Sequence, residues 1–178
     1  MQRYEKNNLI LYLFEKFGIE VVNAAISRYF VGTSKHRNGA TVFWQIDLQG
    51  KIRAGKIIVY GMDGRRRKDI LPKVQWVHSI LKLQNFSLAQ CFFGEHLLAE
   101  KGKPVAIVES EKTAVIASIC KPKAIWLACG GSEGLNNDKC RCLYGRKVIL
   151  YILMQESLTN GTKKQKNYQN FATFPYHL

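Results

Sequence analysis

Glu109 is the residue whose neighbours could support chemistry. It directly follows the apolar run Val105-Ala106-Ile107-Val108 and precedes Ser110, Glu111, Lys112 and Thr113. Four continuous apolar residues fit a strand buried on both faces of a parallel sheet. A carboxylate at the C-terminal end of such a strand stands where open α/β sheets place their reactive groups. There it can hold a divalent cation or exchange protons, although one carboxylate does neither with much specificity. Ser110 can cap a following helix, with Glu111 in its first turn, and the small residues Ala114, Ala117 and Ser118 let that helix lie close to a sheet. The same pattern also suits a purely structural strand–helix unit with a glutamate at its turn.

A second chemistry is electrostatic. Lys and Arg number 27 against 13 Asp and Glu, a net charge of +14, which points to a polyanionic partner and first to nucleic acid. Lys51, Arg53, Lys56, Arg65, Arg66, Arg67, Lys68 and Lys73 fall in one short stretch, interleaved with Tyr60 and Trp76. On a two-stranded ribbon Lys51 and Arg53 share a face, and Arg65 to Lys68 crown the loop beyond it. That arrangement suits a phosphate backbone, which attracts cations whatever its base sequence. Tyr60 or Trp76 could stack an unpaired base, or both could belong to the core, and the arginines could form a solvated loop.

Elements to position these groups can be read from the spacing. Leu9, Ile10, Leu13, Phe14 and Phe17 recur at helical period and Gly18 ends the run, so a helix is expected over Leu9–Phe17, with a second over Ile19–Tyr29. Thr41–Ile46 is β-branched and aromatic, Asp47-Leu48-Gln49-Gly50 can turn, and Lys56–Tyr60 supplies a return strand. Further on, Ala124–Cys129 reads as a strand closed by Gly130-Gly131, and Val148–Tyr151 as another. At 178 residues and 47% apolar composition the chain can form one domain or two small subdomains.

The segment Val108-Glu109-Ser110-Glu111-Lys112-Thr113-Ala114, followed by strand, Gly-Gly turn and strand, resembles the Toprim domain, the catalytic module of bacterial primases, topoisomerases and related nucleases. It looks most like the primase-type proteins of phages, plasmids and conjugative elements. The resemblance is strongest from Val105 to Tyr151 and looser upstream, where Phe93-Gly94-Glu95-His96-Leu97-Leu98 stands where primases lead into the Toprim core. It implies an α/β fold: a partial Toprim parallel βαβ sheet over 101–151, preceded by an α+β primase-like subdomain over 1–100. It also implies Glu109 as catalytic residue and Mg²⁺ ligand. Lys112 would then join Lys51, Arg53, Lys56, Arg65, Arg66, Arg67 and Lys68 in binding single-stranded DNA or RNA, with replication or mobilisation proteins as further partners.

The chain departs from that pattern after its third strand. Toprim domains deliver an Asp-x-Asp pair there, whereas Ile152-Leu153-Met154-Gln155 follows here. Glu109 alone makes a poor Mg²⁺ site, and two-metal phosphoryl transfer is not expected. The functional expectation is therefore a nucleic-acid-binding, primase-related protein of DNA replication or mobile-element processing, catalytically inactive as it stands. The alternatives are an active Mg²⁺-dependent primase or phosphoryl-transfer enzyme recruiting Glu111, Glu133 or Asp138, and a non-catalytic protein-interaction module.

Residues 152–178 are rich in Asn, Gln, Thr and Lys and lack any sustained period, so a disordered tail is expected. Codons suggest its origin. Read from the third base of the Met154 codon, Met154-Gln155 spells GCA, alanine. With ATC for Ile152, CTG for Leu153 and CAG for Gln155 the shifted frame reads Pro-Asp-Ala-Gly, an acidic turn of the Toprim kind. A frameshift near Tyr151, truncating a longer parent, is the expectation. Cys91, Cys120, Cys129, Cys140 and Cys142 form no zinc-finger pairing and, with no signal peptide, fit a reducing cytoplasm. No apolar run is long enough to span a membrane.

Overall fold

The computed structural model describes residues 4–84, 86, 88–131, 134–154 and 166–173, those from 150 onward by their backbone. They divide into two compact units, Met1–His96 and Leu97–Leu178.

The first unit opens with two helices, α1 (Asn8–Phe17) and α2 (Ile19–Arg28). Wholly buried Asn7 caps α1: its Oδ1 accepts from the Ile10 N–H and the Thr41 hydroxyl, and its Nδ2 donates to Gly32 O and Thr33 Oγ1. One side chain thus joins the helix start to two strands. Gly18, at φ 87°, ends α1 where a side chain would strain the backbone, and its N–H bonds Phe14 O. An antiparallel sheet follows in the order β1 (Gly32–Thr33), β2 (Thr41–Ile46), β3 (Ile52–Ile58), β4 (Gln75–Trp76), and then the short α3 (Val77–Leu81). Leu9, Ile10, Leu13, Val22 and Ile26 of the helices are buried, as are Tyr29, Phe43 and Phe93. Phe93 stacks on Tyr29 at 5.2 Å and meets Phe43 edge-on at 5.4 Å.

The return strand begins earlier than the expected Lys56. Asp47 closes its turn tightly, accepting N–H bonds from Gln49 and Lys51, so pairing with β2 resumes at once from Ile52. Trp44 lies opposite Gly55, where a Cβ would come within 2.7 Å of both the Trp44 ring and Val77.

The second unit has β5 (Val105–Val108), α4 (Glu111–Cys120), β6 (Ile125–Ala128), α5 (Asn137–Cys140), β7 (Lys147–Met154) and β8 (Lys166–Thr173), in the sheet order β6-β5-β7-β8. β5 pairs in parallel with both β6 and β7, as the three apolar runs predict. Every residue of β5 and β6 is buried, and α4 turns Ala114 and Val115 inward. The fold is mixed α/β, with a parallel three-stranded core in one unit and an antiparallel sheet in the other.

The C-terminal stretch departs from the sequence reading. The third strand does not stop at Tyr151 but runs on to Met154, because Ile152, Leu153 and Met154 prolong its apolar run. β8 then pairs antiparallel with all of it, Lys147↔Thr173 through Met154↔Lys166. An open strand edge offers backbone N–H and C=O groups to any sequence, so β8 needs no apolar pattern of its own. The rest of the expected tail, 155–165 and 174–178, lies outside the described residues.

Candidate functional site

Glu109 is exposed at the C-terminal end of β5, the middle parallel strand. Ser110 caps α4, its Oγ accepting from the Thr113 N–H at 3.2 Å. The main-chain carbonyl of Glu109 accepts from the Gly130 N–H at 2.9 Å, which ties the β5 end to the turn after β6. Behind that turn lies buried Lys139, whose ammonium donates to Cys129 O at 3.2 Å. Asn136 caps α5 by accepting from the Lys139 N–H. Glu111 is buried in the first turn of α4, and Lys112 beside it is half-buried. Burial pushes the Cys140 thiol up, with Cys129 beside it adding to the shift.

Among the described residues no three His, Cys, Asp or Glu side chains group so as to hold a metal. Where β7 would deliver acid it carries Ile152, Leu153 and Met154, paired to β8. Asp138 is exposed and bound to Arg141 at 3.3 Å. Glu133 lies outside the described residues.

The basic stretch of the first unit splits in two. Lys51 is exposed, but Arg53 is bound, its Nε donating to Asp47 Oδ2 at 2.5 Å, and Lys56 is only 8% exposed. The sequence reading gave this ribbon an open cationic face. In the fold, β4 pairs along β3 and α3 packs over it, so the second half of β3 is covered on both faces. Burial alone would raise the Asp47 pKa. The N–H bonds from Lys51 and Gln49 and the Arg53 guanidinium outweigh that and hold the carboxyl below its usual 3.8.

Arg65, Arg66, Arg67, Lys68 and Lys73 are exposed, as the sequence suggested. Their loop has a definite shape. Arg66 donates to Lys73 O, Arg67 binds Asp69 through two bonds, and Arg37 clamps Leu71 O and Pro72 O at 2.7 Å each. The bond from Arg67 holds the Asp69 carboxyl down at about 2. Exposed pairs of this kind contribute little and can be exchanged for a phosphate. Tyr60 is buried against Phe43 and cannot stack a base, while Trp76 is half-buried in β4.

Sequence reasoning missed Arg37, Glu95, His96 and Lys139. Buried Glu95 accepts from the Phe92 and Leu48 N–H groups and so anchors the β2–β3 turn. His96 donates Nε2–H to Arg28 O at 2.9 Å and is pushed to lower pKa by burial. Arg37 and His96 act on backbone distant in sequence, Lys139 reaches back ten residues, and Glu95 joins the nearby Phe92 to the distant Leu48, so no local spacing announced them.

No curated protein matches the sequence. Among solved structures, a DNA primase domain from Pseudomonas aeruginosa is 12% identical, with a TM-score of 0.39, covering 79% of this chain and 54% of that one. The DnaG primase catalytic domain bound to ssDNA is 16% identical, with the same score and coverage. The chain therefore spans about half the length of these solved domains. The family described as Domain of unknown function (DUF6371) matches residues 7–152, most of the chain, and the chain belongs to that family.

Proposed function

We propose that this chain is a nucleic-acid-binding protein with a Toprim-like, primase-related second unit, acting in DNA replication or mobile-element processing in the cytoplasm, and without phosphoryl-transfer activity of its own. The observation that carries the reading is the β6-β5-β7 parallel sheet with Glu109 exposed at the end of its middle strand, directly before a serine-capped helix. The order of elements along the chain, a strand ending just before Glu109, a helix, a second parallel strand and the Gly130-Gly131 turn, supports the Toprim-like reading. The excess of cations supports a polyanionic partner, and Lys51 with the exposed run Arg65–Lys68 offers phosphate contacts. Arg53 and Lys56 act inside the fold in this reading. Among the described residues no second strand brings a carboxylate to face Glu109, and the reading routes no step through a metal.

Titration of a fluorescein-labelled single-stranded oligonucleotide at rising salt, beside a nucleotide-incorporation assay with Mg²⁺, tests the proposal. Binding that weakens steeply with salt, with no incorporation, is expected. Incorporation abolished by Glu109→Gln would replace it with an active enzyme, and no binding at low salt would favour a protein-interaction role.

A further inference from the structure

In the second unit, every loop that enters a parallel strand is basic. Lys101-Gly102-Lys103-Pro104 leads into β5, Lys121-Pro122-Lys123-Ala124 into β6, and Tyr144-Gly145-Arg146 into β7, whose first residue is Lys147. These strands are neighbours, about 4.8 Å apart, so their cations stand in a row along one edge of the sheet. Lys101, Lys121, Lys123 and Lys147 are exposed. The nearby carboxylate, Glu100, binds Lys103 at 3.0 Å, and Arg146 is oriented by its bond to Leu98 O at 2.6 Å.

Between the first and third loops lies a cavity of about 780 Å³, lined by Lys101, Lys103, Arg146, Lys147 and Tyr144 and, among the described residues, by no acidic one. That volume is in the range that holds small ligands such as a nucleotide. Lys101 and Lys147 are exposed and, among the described residues, bound to no carboxylate; like charges set side by side repel one another, which points to an anion from outside the chain. The edge is opposite the one bearing Glu109, roughly 13 Å away along β5.

We propose that this edge binds phosphate groups, and specifically the backbone of a single nucleic-acid strand, with the cavity seating one nucleotide beside Tyr144. The proposal rests on the nucleic-acid reading above and adds to it a second contact, on the other unit from the Arg65–Lys68 loop. A free nucleoside triphosphate offers the same phosphate chemistry.

The test measures binding of labelled oligothymidylate and of ATP to the full chain and to a Lys101→Ala/Lys147→Ala variant, with Arg65→Ala/Arg66→Ala/Arg67→Ala in parallel. Losing two single-strand contacts should lower the salt slope by about 1.4 and weaken the oligonucleotide about 25-fold at 0.1 M salt, reckoned from 1 M. Weaker oligonucleotide binding with ATP unchanged supports the strand, and weaker ATP binding alone assigns the cavity to a free nucleotide. Unchanged affinity for both probes in the lysine variant overturns the proposal. If the arginine variant still weakens the oligonucleotide, the functional reading survives that failure. If the unaltered chain binds no oligonucleotide, that reading fails instead. Acetylation of Lys101 and Lys147 in the unaltered chain, slowed by oligothymidylate, reads the same contact without a mutation. Acetylation rates indifferent to both probes would count against it.

Discussion

Two Arg–Asp pairs in the first unit have the same 2.5 Å separation and opposite meanings. Arg53–Asp47 closes the β2–β3 turn with the Asp47 side chain 6% exposed, whereas Arg67–Asp69 stands on the following loop with both side chains about half exposed. Asp47 also takes two backbone N–H bonds, so its pair is one part of a buried network. Asp69 takes no such load from a distant element, and water competes for both of its partners. The lesson concerns how to read a basic stretch. Charge and spacing identify the cations, but burial decides which hold the fold and which can turn to a phosphate.

The largest expected effect follows from breaking the buried pair. Asp47→Ala should destabilise the protein by about 2–3 kcal/mol in urea denaturation, because it orphans turn N–H groups and a guanidinium together. It should leave the salt slope of oligonucleotide binding unchanged. The pH profile sharpens the point. Asp47 has a folded pKa below 3.8, so its stabilisation is present above that value and is lost as pH falls through the lower, folded one. The unaltered chain should lose stability on that acid limb, and Asp47→Ala should lose less.

A smaller effect is expected at His96, a half-buried titratable group of the same unit. Burial lowers its folded pKa from 6.5, so its contribution is present above 6.5 and is lost as pH falls through the folded value. His96→Gln keeps a donor for Arg28 O and removes the titration. Its urea midpoint should therefore fall less than that of the unaltered chain between neutrality and pH 5, and parallel curves would contradict the assignment.

The smallest effect on stability belongs to the exposed pair. Asp69→Ala should leave the urea midpoint almost unchanged. Releasing Arg67 should tighten oligonucleotide binding by about 1.5- to fivefold, the worth of an exposed pair. Tightening with a large stability loss would mean that the two pairs are alike after all.

How far the sequence carried the fold depends on element length. α1, α2, β2 and the parallel β5, β6 and β7 were legible because each repeats its period or apolar run over several residues. β1, β4 and α3 were not, being too short to show a period, and β8 was not, because edge pairing of backbone groups demands no apolar pattern. Glu109 could be placed at a strand end from its neighbours. Lys56 could not be placed, because its burial is set by β4 and α3, far along the chain. The partners of Asp47 were half legible: Asp-x-x-Gly announced the turn, and nothing local announced Arg53 closing it.

The central claim is that the exposed arginines, and not Arg53 held by Asp47, meet a nucleic-acid backbone. It is tested most directly by the salt dependence of single-strand affinity in Arg65→Ala/Arg66→Ala/Arg67→Ala. Three lost contacts should lower the slope of log affinity against log salt by about 2, equally for all base sequences. An unchanged slope, in a variant as stable as the unaltered chain, would contradict the account.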